Sequence, residues 1–325
     1  MENKPKNYLN DEHLSIGTRE YLRVLNAGGR PVESLPVAEA RKVLADVQAA
    51  VEVDLSGIDE REREIVADGH ALTLHLVRPH GSRGRLPYFV FIHGGGWVLG
   101  DYSTHRRLVR DLVVESEVAA VFVDYTPSPE AKYPQAVDEI YAAVKWVAEN
   151  DAELDLDRRR MALVGNSAGG NMALAAALLA KKRHAPAVRA LVLLWPVTSA
   201  SSDWKSYALY GGERFLTAPL MKWMFGKYVS DPAQRGNDLM SPVRASAERL
   251  RGLPATLIVV AENDILRDEG EAMGRRLDEA GVEVTTVRFN GVVHDWGMLN
   301  GFAALHPTRT LIRLVGSVLR DYLEK

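Results

Sequence analysis

The chain has 325 residues, a formal net charge of −3, 26% charged residues and no cysteine. This length suits one large α/β core with additions, or two small domains. The nearly balanced charge argues against nucleic acid as a partner, and the absence of cysteine excludes disulfides, thiol catalysis and thiolate metal sites.

The first 15 residues are polar and lack the apolar core of a signal peptide. Nowhere does the chain contain the run of about 18 apolar residues that a membrane span requires. We therefore expect a cytoplasmic protein with no membrane partner. Apolar residues then recur at helical spacing within residues 1–55, most clearly from Pro36 to Val51, which predicts N-terminal helices.

From residue 61 onward the pattern changes to strands. Two short strands at 61–66 and 72–77 flank the turn dipeptide Asp68-Gly69, which predicts a hairpin. Further strands are predicted at 88–92, 118–124, 161–164, 188–194, 256–260 and 282–289, and helices at 104–115, 134–149, 172–180, 266–280 and 307–323. This order indicates an α/β fold with a mostly parallel sheet, helices on both faces and a ligand site at the carboxyl ends of the strands.

Residues 196–250 interrupt this alternation because no strand is predicted there. The segment is rich in aromatic residues and methionine, namely Trp204, Tyr207, Tyr210, Phe215, Met221, Trp223, Met224, Phe225 and Tyr228. Such a cluster is typical of a small cap that lines a pocket, or of the core of a helical insertion. We therefore divide the chain into N-terminal helices at 1–55, an α/β core at 56–195 and 251–325, and an insertion at 196–250.

A G-x-S-x-G motif lies between a predicted strand and a predicted helix, with Ser167 at its centre between Gly165 and Gly169. A turn this tight leaves no space for a side chain two residues before or after the serine. The helix that follows directs its free N–H groups and positive dipole end at the site, where they can hold an oxyanion. The alternative is a glycine-bearing turn without chemistry.

A second glycine motif, His93-Gly94-Gly95-Gly96-Trp97, directly follows the predicted strand at 88–92. Glycines expose backbone N–H groups, which acyl transfer requires about 3 Å from the developing oxyanion. A phosphate-binding loop would instead place Lys and Ser or Thr after its glycines, and these are missing. We expect His93 to brace this loop.

An acid and a base follow two later predicted strands. Asp264 comes after the strand at 256–260, and His294 after the strand at 282–289. The order serine, acid, histidine is that of one hydrolase architecture, in which the imidazole takes the serine proton and the carboxylate orients the imidazole. Glu262 and Asp268 are alternative candidates for the acid. A second alternative is that Asp264 only caps the helix that follows it.

Together these motifs resemble those of the hormone-sensitive-lipase-type (bacterial family IV) esterases of the α/β-hydrolase fold, particularly the acetyl-esterase-like members. The matching segments are residues 93–97, 124–130, 133–134, 165–170, 241–242, 264–270 and 294–296. The similarity runs from about residue 61 to the C-terminus. We therefore expect an α/β-hydrolase fold with a helical cap, built from the N-terminal helices and residues 196–250.

The resemblance also implies roles for individual residues. Ser167 is the expected nucleophile, Asp264 the acid and His294 the base. The expected oxyanion hole consists of the backbone N–H groups of Gly94, Gly95 and Ala168. No cofactor and no metal is expected, and the resemblance suggests a homodimer formed through the C-terminal strand and helix.

Two departures from the family pattern flank the expected nucleophile and base. Many members carry Asp where this chain has Asn166, and Gly-Phe where it has Asp295-Trp296. The negative charge of Asp295 beside His294 is expected to raise the pKa of that imidazole.

The sequence thus predicts a serine carboxylesterase that hydrolyses short- to medium-chain acyl esters through an acyl-enzyme intermediate. Trp97, Phe215, Met221 and Trp296 are the candidate substrate contacts. The same residues would also serve an amidase, formamidase or lactonase. A non-catalytic receptor for small molecules is disfavoured because His294 is present, and a scaffold protein would leave the motifs unexplained.

Overall fold

A computed structural model describes residues 7–324 of the chain, which form a single eight-stranded sheet with helices on both faces. The strands are β1 (Ile58–Ala67), β2 (His70–Pro79), β3 (Leu86–Ile92), β4 (Ala119–Asp124), β5 (Leu156–Asn166), β6 (Ala190–Leu194), β7 (Ala255–Asn263) and β8 (Val284–Val293). Their order across the sheet is β1-β2-β4-β3-β5-β6-β7-β8. β2 pairs antiparallel with both β1 and β4, and the remaining pairs are parallel, which confirms the predicted sheet.

The helices alternate with the strands as the sequence predicts. They are α1 (Ile16–Leu25), α2 (Val37–Ala49), α3 (Tyr102–Ser116), α4 (Gln135–Glu149), α5 (Ala168–Arg183), α6 (Lys205–Tyr210), α7 (Ala218–Tyr228), α8 (Ala247–Leu250), α9 (Arg267–Glu279) and α10 (His306–Glu324). α3 packs against α10, whereas α4 packs against α5. Right-handed crossovers place α4, α5 and α9 on the face of the sheet opposite α3 and α10.

The hairpin of β1 and β2 turns at the predicted dipeptide. Asp68 and Gly69 have φ values of 45° and 87°. Positive φ at both central residues is typical of the tight turns whose twist matches that of paired strands. At the centre of the parallel sheet, β3, β4 and β6 are mostly apolar and buried, and all five residues of β6 are buried.

Several element boundaries differ from the predicted ones, and two of these differences lie next to the site. α5 begins at Ala168, directly after Ser167, rather than at residue 172, because Gly169 and Gly170 fit close to other backbone although they favour helices poorly. β8 continues past residue 289 to Val293, so that His294 directly follows the end of a strand.

Residues 196–250 contain helices α6, α7 and α8 and, as predicted, no strand within this fully described segment. The insertion contacts the N-terminal segment directly. Arg214 forms a buried ion pair with Asp11 at 2.6 Å, and Asn26 Nδ2 donates a hydrogen bond to the Glu213 carbonyl at 3.1 Å. Between residues 7 and 324, no helix combines the length and hydropathy needed to cross a bilayer.

Candidate active site

Ser167 occupies a strained turn between β5 and α5, with φ 54° and ψ −122°. A Cβ on Gly165 would lie 2.4 Å from the Gly169 carbonyl oxygen, and a Cβ on Gly169 would lie 1.9 Å from that of Ile92. Both positions therefore exclude a side chain, one through the turn itself and the other through the end of β3. The Ser167 N–H donates to the Leu194 carbonyl at 2.9 Å, which ties the turn to β6.

Three side chains from three strand ends form one hydrogen-bonded row. His294 Nε2 lies 3.0 Å from Ser167 Oγ, and His294 Nδ1 lies 2.7 Å from Asp264 Oδ2. Ser167, His294 and Asp264 are 4%, 2% and 2% exposed. A buried imidazole held between a hydroxyl and a carboxylate can accept the hydroxyl proton and remain oriented while it does so.

The structure also separates Asp264 from its two competitors. Glu262 accepts a hydrogen bond from the Gly291 N–H at 2.8 Å and faces His13 at 3.4 Å. Asp268 accepts a hydrogen bond from the Ser206 N–H at 2.9 Å. Asp264 in addition receives the Leu266 N–H on its other oxygen at 2.9 Å, so it both faces the imidazole and caps the turn before α9.

The glycine loop after β3 lies directly against the serine, since a Cβ on Gly94 would be 3.0 Å from Ser167 Cβ. The N–H of Gly94, however, donates to Asn166 Oδ1 at 2.9 Å. Within residues 7–324, the amides of Gly95, Gly96 and Ala168 have no hydrogen-bond acceptor. The hydrogen bond from Gly94 to Asn166 argues against the expectation that Gly94 donates to an oxyanion. The amides of Gly95, Gly96 and Ala168 are the available donors.

His93 braces the glycine loop. Its Nδ1 lies 2.8 Å from the Gly94 carbonyl oxygen, and its ring stacks on Tyr125 with centroids 4.2 Å apart. Burial lowers the pKa of His93, which favours the neutral ring, and the Gly94 carbonyl, which can only accept, places the ring proton on Nδ1. The ring is therefore suited to fixing the loop.

Opposing influences set the pKa of His294. Burial alone would lower this pKa, but the charges of Asp264 and Asp295 and the hydrogen bond that His294 donates to Asp264 raise it above the ordinary imidazole value. Asp295 Oδ2 lies 3.7 Å from His294 Nε2. The sequence-based expectation that Asp295 raises the pKa of His294 agrees with this direction.

The candidate substrate contacts lie in different surroundings. Trp97 is buried and stacks on Tyr228 of α7 with centroids 4.5 Å apart. Met221 is buried on α7, whereas Phe215 is half-buried in the loop before it. Trp296 is buried against Trp195, with centroids 4.4 Å apart, and these contacts support a packing role for it.

Met224 of α7 was not among the sequence-based site candidates, yet it lies next to the glycine loop. A Cβ on Gly96 would be 2.0 Å from Met224 Sδ. Its position three residues after Met221 on one helix was the available signal, because residues at this spacing share a helix face. Among the described residues, no group of three or more His, Asp or Glu side chains is arranged to hold a metal ion.

Known proteins match this arrangement over most of the chain. A family model described as an alpha/beta hydrolase fold matches residues 89–298, which include the glycine loop and the complete hydrogen-bonded row. The chain belongs to the α/β-hydrolase family. The fold expected from the sequence is thereby confirmed.

Relatives of this α/β hydrolase are named as esterases. The ethyl acetate hydrolase of Pseudomonas putida is 33% identical over 286 residues, covering 85% of this chain and 89% of that protein. Carboxylesterase NlhH of Mycobacterium tuberculosis is 34% identical over 248 residues, covering 76% of this chain and 77% of its own.

A solved structure agrees more closely still. The thermostable esterase from Pseudomonas putida ECU1011 superposes with a TM-score of 0.95 at 48% identity, covering 97% of this chain and 99% of that chain. These likenesses identify the α/β hydrolase as a carboxylic ester hydrolase of the hormone-sensitive-lipase type, as the sequence predicts.

Proposed function

We propose that this ester hydrolase is a serine carboxylesterase in which Ser167 is the nucleophile, His294 the base and Asp264 the orienting acid. The observation that carries the proposal is the continuous row from Ser167 Oγ through His294 to Asp264, with contacts of 3.0 Å and 2.7 Å. All three groups are buried, so the row is shielded from bulk water. Electrostatic interactions are stronger in such a site than in water.

In the proposed acylation step, Ser167 Oγ attacks the ester carbonyl carbon as its proton moves to His294 Nε2. The carbonyl electron pair moves onto oxygen, and its return breaks the bond to the alcohol, which leaves with the Nε2 proton. Water then loses a proton to Nε2 and attacks the acyl carbon. Ser167 Oγ is released and takes that proton back.

The oxyanion formed in each half-reaction needs backbone donors. We assign this role to the N–H groups of Gly95, Gly96 and Ala168, which have no acceptor within residues 7–324. Ala168 is the first residue of α5, so the positive end of that helix dipole adds to its donor strength. Gly94 instead holds the loop through Asn166.

We further propose that the acyl group lies between the glycine loop and α7, and that this space favours short to medium chains. Met224 lies directly against Gly96, and Trp97, the next residue of the loop, stacks on Tyr228 of the same helix. Met221 and Phe215 remain proposed contacts further along the insertion.

The direct test combines a substrate series with active-site labelling. A series of p-nitrophenyl esters from acetate to palmitate is expected to show the highest kcat/KM at the short end. A serine-reactive alkyl phosphonate is expected to inactivate the enzyme and to modify the peptide that contains Ser167. Modification of another peptide, with activity lost at the same rate, would overturn the assignment of the nucleophile.

The remaining expectations stay predictions. A homodimer through the C-terminal strand and helix is proposed from the family resemblance, with β8 as the last strand of the sheet. Sedimentation velocity would test it, and a monomer at micromolar concentration would contradict it. A cytoplasmic location is likewise a prediction from the sequence.

A further inference from the structure

Asp295, the residue after His294, is held in place by two buried side chains from neighbouring strand ends. Its Oδ1 accepts a hydrogen bond from Trp195 Nε1 at 2.6 Å and another from Asn166 Nδ2 at 3.0 Å. The exposed fractions of Asp295, Trp195 and Asn166 are 4%, 0% and 0%. A carboxylate is this well buried only when it has such partners, so the site is built to hold it.

The backbone contributes to the same placement. Asp295 and Trp195 have φ values of 59° and 38°, in the left-handed region that side chains rarely adopt. Each such residue costs free energy that the surrounding structure must offset. Two of them joined by one hydrogen bond indicate that the position of the Asp295 carboxylate is maintained against local strain.

The second oxygen of Asp295 faces the imidazole from the side opposite Asp264. Oδ2 lies 3.7 Å from His294 Nε2, the nitrogen that also contacts Ser167. This distance is too long for a hydrogen bond, so Asp295 does not compete with Ser167 for the Nε2 proton. It is short enough for the two charges to attract each other once the ring is protonated.

Asn166 fits this carboxylate because its amide offers different groups to two neighbours. Its Oδ1 accepts the Gly94 N–H at 2.9 Å, and its Nδ2 donates to Asp295. A carboxylate at position 166 would lose that donor and would put a second negative charge against the first. Asn166 and Asp295 therefore form a matched pair.

We propose that Asp295 is a positioning residue of the esterase, held by Asn166 and Trp195, whose charge stabilises the His294 imidazolium that forms when Ser167 attacks the substrate. The inference rests on the proposed roles of Ser167 and His294. It adds a second carboxylate, at the nitrogen that carries the transferred proton, to the one at Nδ1.

The electrostatics of the ring agree with this role. Three groups face the imidazole: the Ser167 hydroxyl from the turn before α5, Asp264 from the loop after β7, and Asp295. Burial lowers the pKa of His294, whereas both carboxylates raise it, with a net upward direction. Because the base must be neutral to act, the acidic limb of the pH–rate profile is expected above the ordinary imidazole pKa of about 6.5.

The first test is Asp295→Asn, which removes the charge and keeps an oxygen that can accept both hydrogen bonds. We expect the acidic limb of kcat/KM for p-nitrophenyl acetate to move to lower pH, and kcat on the alkaline plateau to fall about tenfold, the equivalent of one pKa unit. Asp278→Asn, at an exposed position on α9, is the matched control and should leave both unchanged. An Asp295→Asn enzyme with the wild-type limb and wild-type kcat would overturn the inference.

A charge-exchange series separates electrostatics from mere packing. Asn166→Asp alone should lower kcat more than Asp295→Asn, because it brings two carboxylates together. Asn166→Asp combined with Asp295→Asn restores one amide facing one carboxylate, and should recover activity with an acidic limb between those of Asp295→Asn and the wild type. A folded double variant no more active than Asn166→Asp would contradict the inference, and this comparison holds even if Asp295→Asn alone does not fold.

Phosphonate labelling distinguishes this inference from the proposed function. If the wild type lacks esterase activity or the label misses Ser167, the proposed function itself fails. If the label modifies Ser167 of the wild type, but Asp295→Asn keeps the wild-type pH profile and kcat, the role of Asp295 alone is refuted.

Discussion

The two sides of the active site are built in different ways. On one side are Ser167, Asp264 and His294, which each follow the end of a strand. Backbone hydrogen bonds, such as that from the Ser167 N–H to the Leu194 carbonyl, fix the chain there to neighbouring strands. The proposed opposite side consists of residues 7–50 and 196–250, and these two segments contact each other through side chains such as Arg214 with Asp11. The proposed function would place the chemistry on the sheet and substrate selection on separate segments, so that either can vary without disturbing the other.

The sheet side should respond to substitution with loss of catalysis and little loss of folding. Ser167→Ala is expected to lower kcat for p-nitrophenyl acetate by about 10⁶-fold, the effect of removing the nucleophile in a serine hydrolase. Ser116→Ala removes another buried serine hydroxyl, on α3 and outside the site, and should keep kcat. A Ser167→Ala enzyme that retained most of its activity would show that the nucleophile does not lie on the sheet side of the site.

Asp264→Asn should have the next largest effect, a loss in kcat of about 10⁴-fold, because the imidazole would no longer be held in the productive tautomer. Asp268→Asn is the matched control, since its carboxylate faces Ser206 and Arg267 instead. Steady-state kinetics of the two variants would sharpen the assignment of the acid. Equal losses in both would contradict it.

The opposite side should respond mainly in stability. Arg214→Met leaves the carboxylate of Asp11 buried without its cation and is expected to lower the free energy of unfolding by about 3–5 kcal/mol, measured by urea denaturation. Arg23→Met breaks an exposed pair with Glu20 and should cost at most about 1 kcal/mol.

The same ion pair predicts a pH dependence. Burial acts to raise the pKa of Asp11, but the hydrogen bond and charge of Arg214 lower it below the ordinary value. The stabilisation is therefore present above the ordinary aspartate pKa and is lost as pH falls through the lowered one. The stability gap between wild type and Arg214→Met should narrow in acid, and a gap that widened would be inconsistent with this pair.

The smallest effect is expected at the boundary between the two sides. Met224→Ala enlarges the space beside Gly96 and should shift the preferred p-nitrophenyl ester to a longer acyl chain, changing the kcat/KM ratio of octanoate to acetate about tenfold. Met273→Ala, at a buried position on α9, controls for general loosening and should leave the ratio unchanged. An unchanged ratio in Met224→Ala would place the acyl group elsewhere.

Local patterns sufficed for most of the architecture. The alternation of strands and helices, the Asp68-Gly69 hairpin and the strand-free insertion are read from periodicity and turn residues, and the structure agrees with each. The candidate row was predictable for a similar reason. Ser167, Asp264 and His294 each follow a recognisable strand, and the carboxyl ends of parallel strands meet at one edge of a sheet.

Tertiary structure alone decided how neighbouring groups share their hydrogen bonds. Nothing local to Gly94 shows that Asn166 takes its amide, and nothing local to Asp295 shows that Trp195, 100 positions earlier, holds its carboxylate. The sequence by itself determined which elements form and which side chains reach the edge of the sheet, because periodicity and turn chemistry are local. The partners of each group there depend on strands distant in the chain and on backbone angles that no sequence period records.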